Sequence, residues 1–307
     1  MKAVVKRFGM DTLVQFEDFA FQNAYRLLDK YKDGYCVFND DIQGTASVIV
    51  AGLLTSMRVT KKKLCEQKFL FHGAGAAGLG IAELMVMHMK SEGATEEQAY
   101  SMIYMNDKEG LVTKKRAEHM TPRHVKFAKD MPEMNNLYEI VKTVQPNGII
   151  GVSTQGGAFT PEIIKEMCKI NERPIIFALS NPTIKAECTA KEAYEHSDGK
   201  ALYASGSPFD DVEYKGKLYK PGQGNNSYIF PGVGLAAVLW KAKNIPEEVF
   251  LIAARTCARM TPDKVIEKYG RLYPRLSNVR ELSVQIAIDV GEYLYEKNLA
   301  MLYPKPE

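Results

Sequence analysis

The stretch Lys68-Phe69-Leu70-Phe71-His72-Gly73-Ala74-Gly75-Ala76-Ala77-Gly78-Leu79 decides the fold. Lys68 to His72 reads as a short apolar strand, and Leu79 to Met89 leaves the glycines as a helix. A Gly-x-Gly-x-x-Gly string is common by itself and gains meaning from a strand before it and a helix after it. The first glycine permits the tight turn, the second lets backbone approach a pyrophosphate, and the third allows close packing of helix on strand. Free N–H groups at the helix start favour an anion. Gly73, Ala74, Gly75, Ala76, Ala77 and Gly78 are therefore candidates for holding a dinucleotide. The next strand, Met102 to Met105, leads to Asp107, whose carboxylate could accept hydrogen bonds from ribose hydroxyls. Its separation from the loop exceeds the usual ~20 residues, which a longer helix and the Ser91 to Gln98 insertion explain. The alternative is that the glycines only make a turn and Asp107 only caps one. NAD and NADP both remain open, because Asp107 favours a free 2′-hydroxyl whereas Lys108, Arg123, His124 and Lys126 could meet a 2′-phosphate.

Outward from this unit the same alternation recurs. Before it lie strand Thr12 to Phe16, helix Phe19 to Lys32 with Phe21, Ala24, Tyr25, Leu27 and Leu28 at helical spacing, strand Tyr35 to Phe38 and helix Gly44 to Leu54. After it come strand Gly148 to Val152, helix Pro161 to Lys169, strand Pro174 to Leu179, helix Thr189 to His196 and strand Ala201 to Ala204. Val212 to Tyr219, centred on Lys215-Gly216-Lys217, suggests a hairpin. Helices near Gly232 to Lys241, Pro246 to Met260 and Val279 to Tyr295 close the chain. Right-handed crossovers between alternating strands and helices give a doubly wound, mainly parallel α/β sheet of the Rossmann-like kind, with C-terminal helices. The expected division is a dinucleotide-binding domain over residues 1–275, with a metal-ligand segment at its start, and a helical extension over 276–307.

Two acidic pairs stand at strand ends: Glu17-Asp18, and Asp40-Asp41 within Phe38-Asn39-Asp40-Asp41-Ile42-Gln43-Gly44-Thr45. Mg²⁺ and Mn²⁺ take oxygen ligands, commonly a few carboxylates completed by water and substrate. Adjacent helical residues point about 100° apart, so such pairs could share an ion only at element boundaries, where these lie. Asp18 and Asp41 could equally be helix N-caps. Both pairs nonetheless fall at the strand ends around which sheets of this type bind ligands. Ser180-Asn181-Pro182-Thr183 and Gly222-Gln223-Gly224-Asn225-Asn226 reach the same edge, and their amides could orient a carboxylate substrate or satisfy their own turns.

Bulk properties narrow the function classes. The 307 residues are 46% hydrophobic, with 40 Lys and Arg against 37 Asp and Glu. The basic clusters Lys61-Lys62-Lys63 and Lys114-Lys115-Arg116 are short and read as solvated loop or helix ends, so no nucleic-acid partner is expected. Five scattered cysteines without a Cys-x-x-Cys pair argue against disulfides or a zinc knuckle and favour a reducing, intracellular setting. No uninterrupted apolar run reaches the ~18 residues of a membrane span. The five histidines show no ligand spacing.

With these residues in place, the chain resembles the malic enzymes of the large eukaryotic type over essentially its whole length. The likeness runs through Gln15-Phe16-Glu17-Asp18-Phe19, the Phe38 to Thr45 stretch and the glycine loop. It continues in Ala178 to Thr183, Ala204-Ser205-Gly206-Ser207-Pro208-Phe209, Pro221 to Asn226 and Pro231-Gly232-Val233. The resemblance implies oxidation of malate with NAD⁺ or NADP⁺ and decarboxylation to pyruvate, aided by Mg²⁺ or Mn²⁺. It implies Glu17, Asp18 and Asp41 as metal ligands, Asp40 as the acid that supports a catalytic lysine, and Asn181, Asn225 and Asn226 as substrate contacts, Asn181 also meeting the cofactor. It also implies a homo-oligomer in the cytosol or the mitochondrial matrix. Family members carry a tyrosine acid, a lysine base and a substrate-binding arginine in an N-terminal region, and Met1-Lys2-Ala3-Val4 resembles the interior of such a protein. The chain is therefore expected to be a fragment that binds cofactor without substantial malate turnover. A dinucleotide-binding module with no chemistry of its own, which has no need of Glu17, Asp18 and Asp41 together, is the alternative, and metal dependence would separate the malic enzyme reading from an amino-acid dehydrogenase domain.

Overall fold

A computed structural model describes residues 1–306, apart from the side chain of Phe21. The Phe21 position on the helical stripe and Glu307 at the end of the expected extension thus lie outside the described residues. The chain opens with α1 (Lys2–Phe8), β1 (Val14–Phe16), α2 (Phe21–Tyr31) and β2 (Val37–Asn39). A wide π-type turn, Asp40–Gly44, then runs without a break into α3 (Thr45–Thr60). Next come β3 (Phe69–His72), α4 (Ala76–Ser91), α5 (Glu96–Ser101), β4 (Ile103–Asp107), β5 (Gly110–Leu111), α6 (Pro122–Val125), α7 (Leu137–Val144) and β6 (Gly148–Gly151). The second half of the sheet brings α8 (Pro161–Ile170), β7 (Ile175–Ala178), α9 (Ala190–His196), β8 (Leu202–Ser205), β9 (Val212–Tyr214), β10 (Lys217–Tyr219) and β11 (Gly222–Gln223). Helices α10 (Phe230–Leu239), α11 (Glu247–Arg259), α12 (Asp263–Tyr269) and α13 (Val279–Glu296) complete it.

The main sheet has seven strands in the order β11-β8-β7-β6-β3-β4-β5, parallel except for the β4–β5 pair. From β3 the chain steps outward to β4 and β5, then returns across β3 to β6 and winds the other way. The order therefore reverses between β3 and β6, and the crevice at the carboxyl ends of these two strands is where such sheets take ligands. Every residue of β3, β6, β7 and β8 is buried, as expected for parallel strands covered on both faces. Alternate residues feed opposite faces. Phe69, Phe71, Ile175 and Phe177 join one core with α3, α4, α11 and α13, whereas Leu70, Ile176 and Ala178 join a second core under α7, α8 and α9. Truncating Phe71 or Phe177 to Ala would cost ~3–5 kcal/mol.

The glycine-loop unit, the parallel order and the hairpin agree with the sequence reading. In the hairpin, Tyr214 pairs with Lys217 and the two turn residues Lys215 and Gly216 both take positive φ, 49° and 74°, the geometry of a two-residue primed turn. Boundaries moved where side-chain chemistry extends a helix. The helix expected from Gly44 starts at Asp40, because the Asn39 side chain accepts the Ile42 N–H and caps it. It ends only at Lys61, which takes φ 58°. Residues Asp40–Thr60 are long and apolar enough for a membrane span, yet 78% of that apolar window is buried inside the protein. The expected Ser91 to Gln98 insertion contains the start of α5, closed by a reciprocal Thr95–Gln98 capping box. Strands β5 and β11 and helices α1, α5, α6, α7 and α12 were not anticipated. All five cysteines are free.

A candidate dinucleotide and metal site

The glycine loop sits at the β3–β6 reversal, and each glycine has its own physical reason. Gly73 takes φ +117°, and a Cβ there would come within 2.5 Å of the Val152 carbonyl oxygen at the end of β6. At Gly78 a Cβ would lie 2.8 Å from the Gly73 oxygen, so α4 packs onto the loop only without a side chain. Nothing lies within 4 Å of the corresponding point at Gly75, which leaves open space where backbone faces a ligand. The Gly75 carbonyl accepts the Leu79 N–H at 3.0 Å to start α4. Helix geometry then leaves the amides of Ala76, Ala77 and Gly78 without partners inside the helix.

Asp107 does end the next strand, but it is already engaged. Its Oδ1 accepts the Glu109 N–H at 2.8 Å, and Arg116 donates to both oxygens at 2.8 and 2.6 Å. Arg116, expected in a solvated cluster, is instead folded inward over the β4–β5 turn, where it also donates to the Gly110 and Leu111 carbonyls. Asp107, Arg116, His119 and His124 bound a cavity of about 210 Å³. The His124 Nε2 lies 2.8 Å from the Ala74 oxygen, so that nitrogen carries the proton and ties the cavity to the glycine loop. Arg123, considered for a 2′-phosphate, is committed elsewhere: it pairs with Glu83 and Asp29 and stacks on Tyr25 at 4.2 Å. Lys108 and Lys126 are exposed.

The acidic corner is positioned by the small β1–β2 ribbon. These strands pair in parallel with Phe16 opposite Asn39, so Glu17-Asp18 and Asp40-Asp41 emerge side by side at one end. The Asp18 N–H donates to Asp41 Oδ2 at 2.7 Å, with Asp18 itself at φ 57°. Glu17 and Asp18 are exposed, Asp41 is half-buried and Asp40 is buried. Burial pushes the Asp40 carboxyl up to about 6, with Glu17 and Asp41 adding to the rise and the Asn226 hydrogen bond opposing it. Asn226 Nδ2 reaches Asp40 Oδ2 at 2.9 Å and the Asp40 carbonyl at 3.1 Å, which joins the end of β11 to the corner. Asp40 Oδ1 packs over Gly44, where any Cβ would overlap it, and is buried without a hydrogen-bond partner. Gln43 braces the turn from behind: its Oε1 accepts the Asn39 N–H and its Nε2 donates to Glu247, both at 2.9 Å. Partial burial raises the Glu247 carboxyl above its ordinary range.

The donor chemistry of this corner suits a hard divalent cation. Among the described residues, however, no three acidic, His or Cys side chains converge as a metal cluster. One Asp41 oxygen is spent on the Asp18 amide, and Glu17 Oε1 accepts the Gln15 amide at 2.6 Å. The remaining candidates divide. Asn181 is exposed on the loop after β7, just before a cis Pro182. Asn225 satisfies its own turn through the Ser227 N–H at 2.9 Å, while Asn226 turns to Asp40. Sequence reasoning missed Glu187, which is fully buried and accepts from Ser153 and Ser180. A lone carboxylate between Ala186 and Cys188, just before a capped helix, was its only signal.

A doubly wound sheet with a glycine-loop crevice, and beside it an acidic corner borne by a separate two-stranded ribbon, defines a dinucleotide-binding α/β domain. The comparisons with known proteins make that class specific. The family model described as malic enzyme, NAD binding domain matches residues 42–295, and the chain belongs to that family. It is 57% identical over 307 residues to an NAD-dependent mitochondrial malic enzyme of Ascaris suum, covering 100% of this chain and 47% of that one. It is 50% identical over 308 residues to an NADP-dependent mitochondrial malic enzyme of Homo sapiens, covering 100% and 51%. The crystal structure of an Entamoeba histolytica malic enzyme superposes with a TM-score of 0.79 at 25% identity, over 99% of this chain and 58% of that one. The chain thus spans about half the length of the curated relatives it matches.

Proposed function

We propose that this chain is the dinucleotide- and metal-binding part of an intracellular malic enzyme, of the cytosol or the mitochondrial matrix, which oxidises and decarboxylates L-malate to pyruvate and CO₂. The observation that carries the reading is the packing of the turn that bears Asp40 and Asp41 against α4, the helix opened by the Gly73–Gly78 loop, so close that a Cβ at Gly80 would lie 3.0 Å from the Ile42 side chain, in a chain whose relatives are named for both NAD and NADP. On this reading residues 1–275 hold both groups and residues 276–307 form a helical extension.

The chain's own residues would act as follows. The open backbone at Gly75 and the amides of Ala76, Ala77 and Gly78 hold the pyrophosphate. Asp107, kept in place by Arg116, offers lone pairs to the adenosine ribose, and Asn181 with Asn225 orients the malate carboxylates. Glu17, Asp18 and Asp41 would hold Mg²⁺ or Mn²⁺ once the Asp18 amide releases its oxygen. A divalent ion there supplies polarisation of the substrate oxygen beside the reacting carbon. Asp40 keeps one buried oxygen ready for a cationic partner, in keeping with support of a lysine. The tyrosine acid and lysine base implied by the resemblance lie outside the matched residues. Each such group contributes ~10²–10⁴-fold, so the 307-residue chain alone is expected to bind dinucleotide without substantial turnover, with homo-oligomeric assembly a property of the longer protein.

A second reading, a dinucleotide-binding module without chemistry, draws on the internal hydrogen bonds that already occupy oxygens of Asp41 and Glu17. One experiment separates them: titrate the folded chain with NADH, NADPH and Mn²⁺, then assay malate with NAD⁺ and NADP⁺. Mn²⁺ binding that Asp41→Asn removes supports the malic enzyme part. Dinucleotide binding without any Mn²⁺ site supports the module. Malate turnover by this chain alone overturns the expected inactivity.

A further inference from the structure

Glu187 is an acidic side chain at 0% exposure, and the dinucleotide loop, the acidic corner and the ion pairs make no use of it. Its surroundings are all donors. Oε1 accepts from the Ser180 hydroxyl at 2.5 Å, the Ser153 N–H at 3.2 Å and the Ser153 hydroxyl at 3.3 Å, while Oε2 accepts from the Ser180 N–H at 3.3 Å. A buried carboxylate survives only with such compensation. Gly151 at the end of β6 leaves it room, since a Cβ there would overlap the Glu187 carboxyl. The two loops that Glu187 joins follow β6 and β7, and the first faces Gly73 across the β3–β6 crevice.

The polarity of these bonds fixes more than their number. A carboxylate can only accept, so the Ser180 hydroxyl spends its proton on Glu187 and presents a lone pair in the other direction. That lone pair accepts the Thr154 N–H at 2.8 Å. Thr154 has φ 59°, a left-handed conformation that a β-branched residue rarely adopts without outside support. Support of this kind commonly marks a site where shape matters more than local comfort.

We infer that Glu187 is a positioning residue for the nicotinamide half of the dinucleotide. It acts through Ser180 on Thr154 and fixes the Ser153-Thr154 wall and the start of the Asn181 loop as one preformed surface. The assignment of half follows from the topology: the glycine loop takes the pyrophosphate and Asp107 on β4 takes the adenosine side, so the β6 and β7 ends face the other nucleotide. The inference rests on the dinucleotide reading given above.

The test compares NADH and NADPH binding, which samples both halves, with ADP binding, which samples only the adenosine half, in the full 307-residue chain. Glu187→Gln places an amide N–H₂ among donors, and Ser180→Ala removes the relay while leaving the carboxylate. Each is expected to weaken reduced-dinucleotide binding about tenfold and leave ADP within twofold, and the pair together should lose no more than one alone. Ser180→Thr, which keeps the hydroxyl, should restore binding. If Glu187→Gln fails to fold, Ser180→Ala against Ser180→Thr carries the comparison. Equal loss for ADP and reduced dinucleotide, or no loss for either, overturns the positioning role while the dinucleotide reading stands. An unaltered chain that binds neither overturns both.

Discussion

The glycine loop and the acidic corner lie on one edge of the molecule but are held by different means. At the loop, backbone does the positioning: the Gly73 turn, the Val152 carbonyl and the start of α4 are neighbours in the sheet. At the corner, side chains do it, and the Asn226–Asp40 and Gln43–Glu247 bonds join residues 186 and 204 positions apart. Backbone geometry cannot change protonation state or partner, so the loop is in its working shape beforehand. The corner keeps a buried unpartnered oxygen and a carboxyl near 6, so its state depends on pH and on what binds.

The sharpest way to break this contrast is Gly73→Ala. With φ +117° and the Val152 carbonyl in the way, urea unfolding should show a loss of about 3 kcal/mol or more. A loss under about 1 kcal/mol would mean that the β3–β6 backbone yields and the loop is not rigid. The next effect belongs to the corner. The Asp40 carboxyl sits at about 6 in the folded protein against an ordinary 3.8, so between those values the folded state binds the extra proton. Stability should therefore fall as pH rises from about 4 to about 6, by ~3 kcal/mol. Asp40→Asn should remove that slope, matching the parent near pH 4 and exceeding it above pH 6, when unfolding is followed with a chelator present. Gln43→Ala leaves the Asn39 N–H and one Glu247 oxygen without their bonds, and should cost about 1–2 kcal/mol. Smallest in stability is Gly75→Ala, whose new methyl meets open space. Its unfolding midpoint should shift by less than ~0.5 kcal/mol, whereas fluorescence titration with NADH or NADPH should show several-fold weaker binding. A Gly75 variant that binds normally would move the pyrophosphate away from the loop.

The same contrast explains what the sequence made legible. The strand, glycines and helix of the loop are contiguous, and their periodicity and spacing carry the whole argument. The two short strands before the acid pairs were legible from their apolar runs, but not that they leave the main sheet and pair with each other in a ribbon of their own. What pairs with each acid was not. Arg116 reaches Asp107 only because the unexpected two-residue β5 turns the chain back on β4, and a basic cluster gives no hint of which member folds inward. Asn226 looked like a substrate contact equivalent to Asn225. The structure separates them by which neighbour each amide meets, a distinction of tertiary packing that local pattern does not encode. Glu187 was invisible for a related reason, since its four donor groups come from Ser153 and Ser180 on loops after two different strands.

The β1–β2 ribbon is a sheet of its own, two strands of three residues, with no ladder to the seven-stranded sheet. Small independent units of this kind open at lower free energy than a buried central sheet. Each opening would carry Glu17 and Asp18 away from Asp41 without disturbing the glycine loop. Any cation that bridged them would act as a clasp, spending part of its binding free energy on holding the ribbon shut. Amide exchange at Val14–Phe16, slowed by the cation, would then measure the occupancy of the corner from a distance.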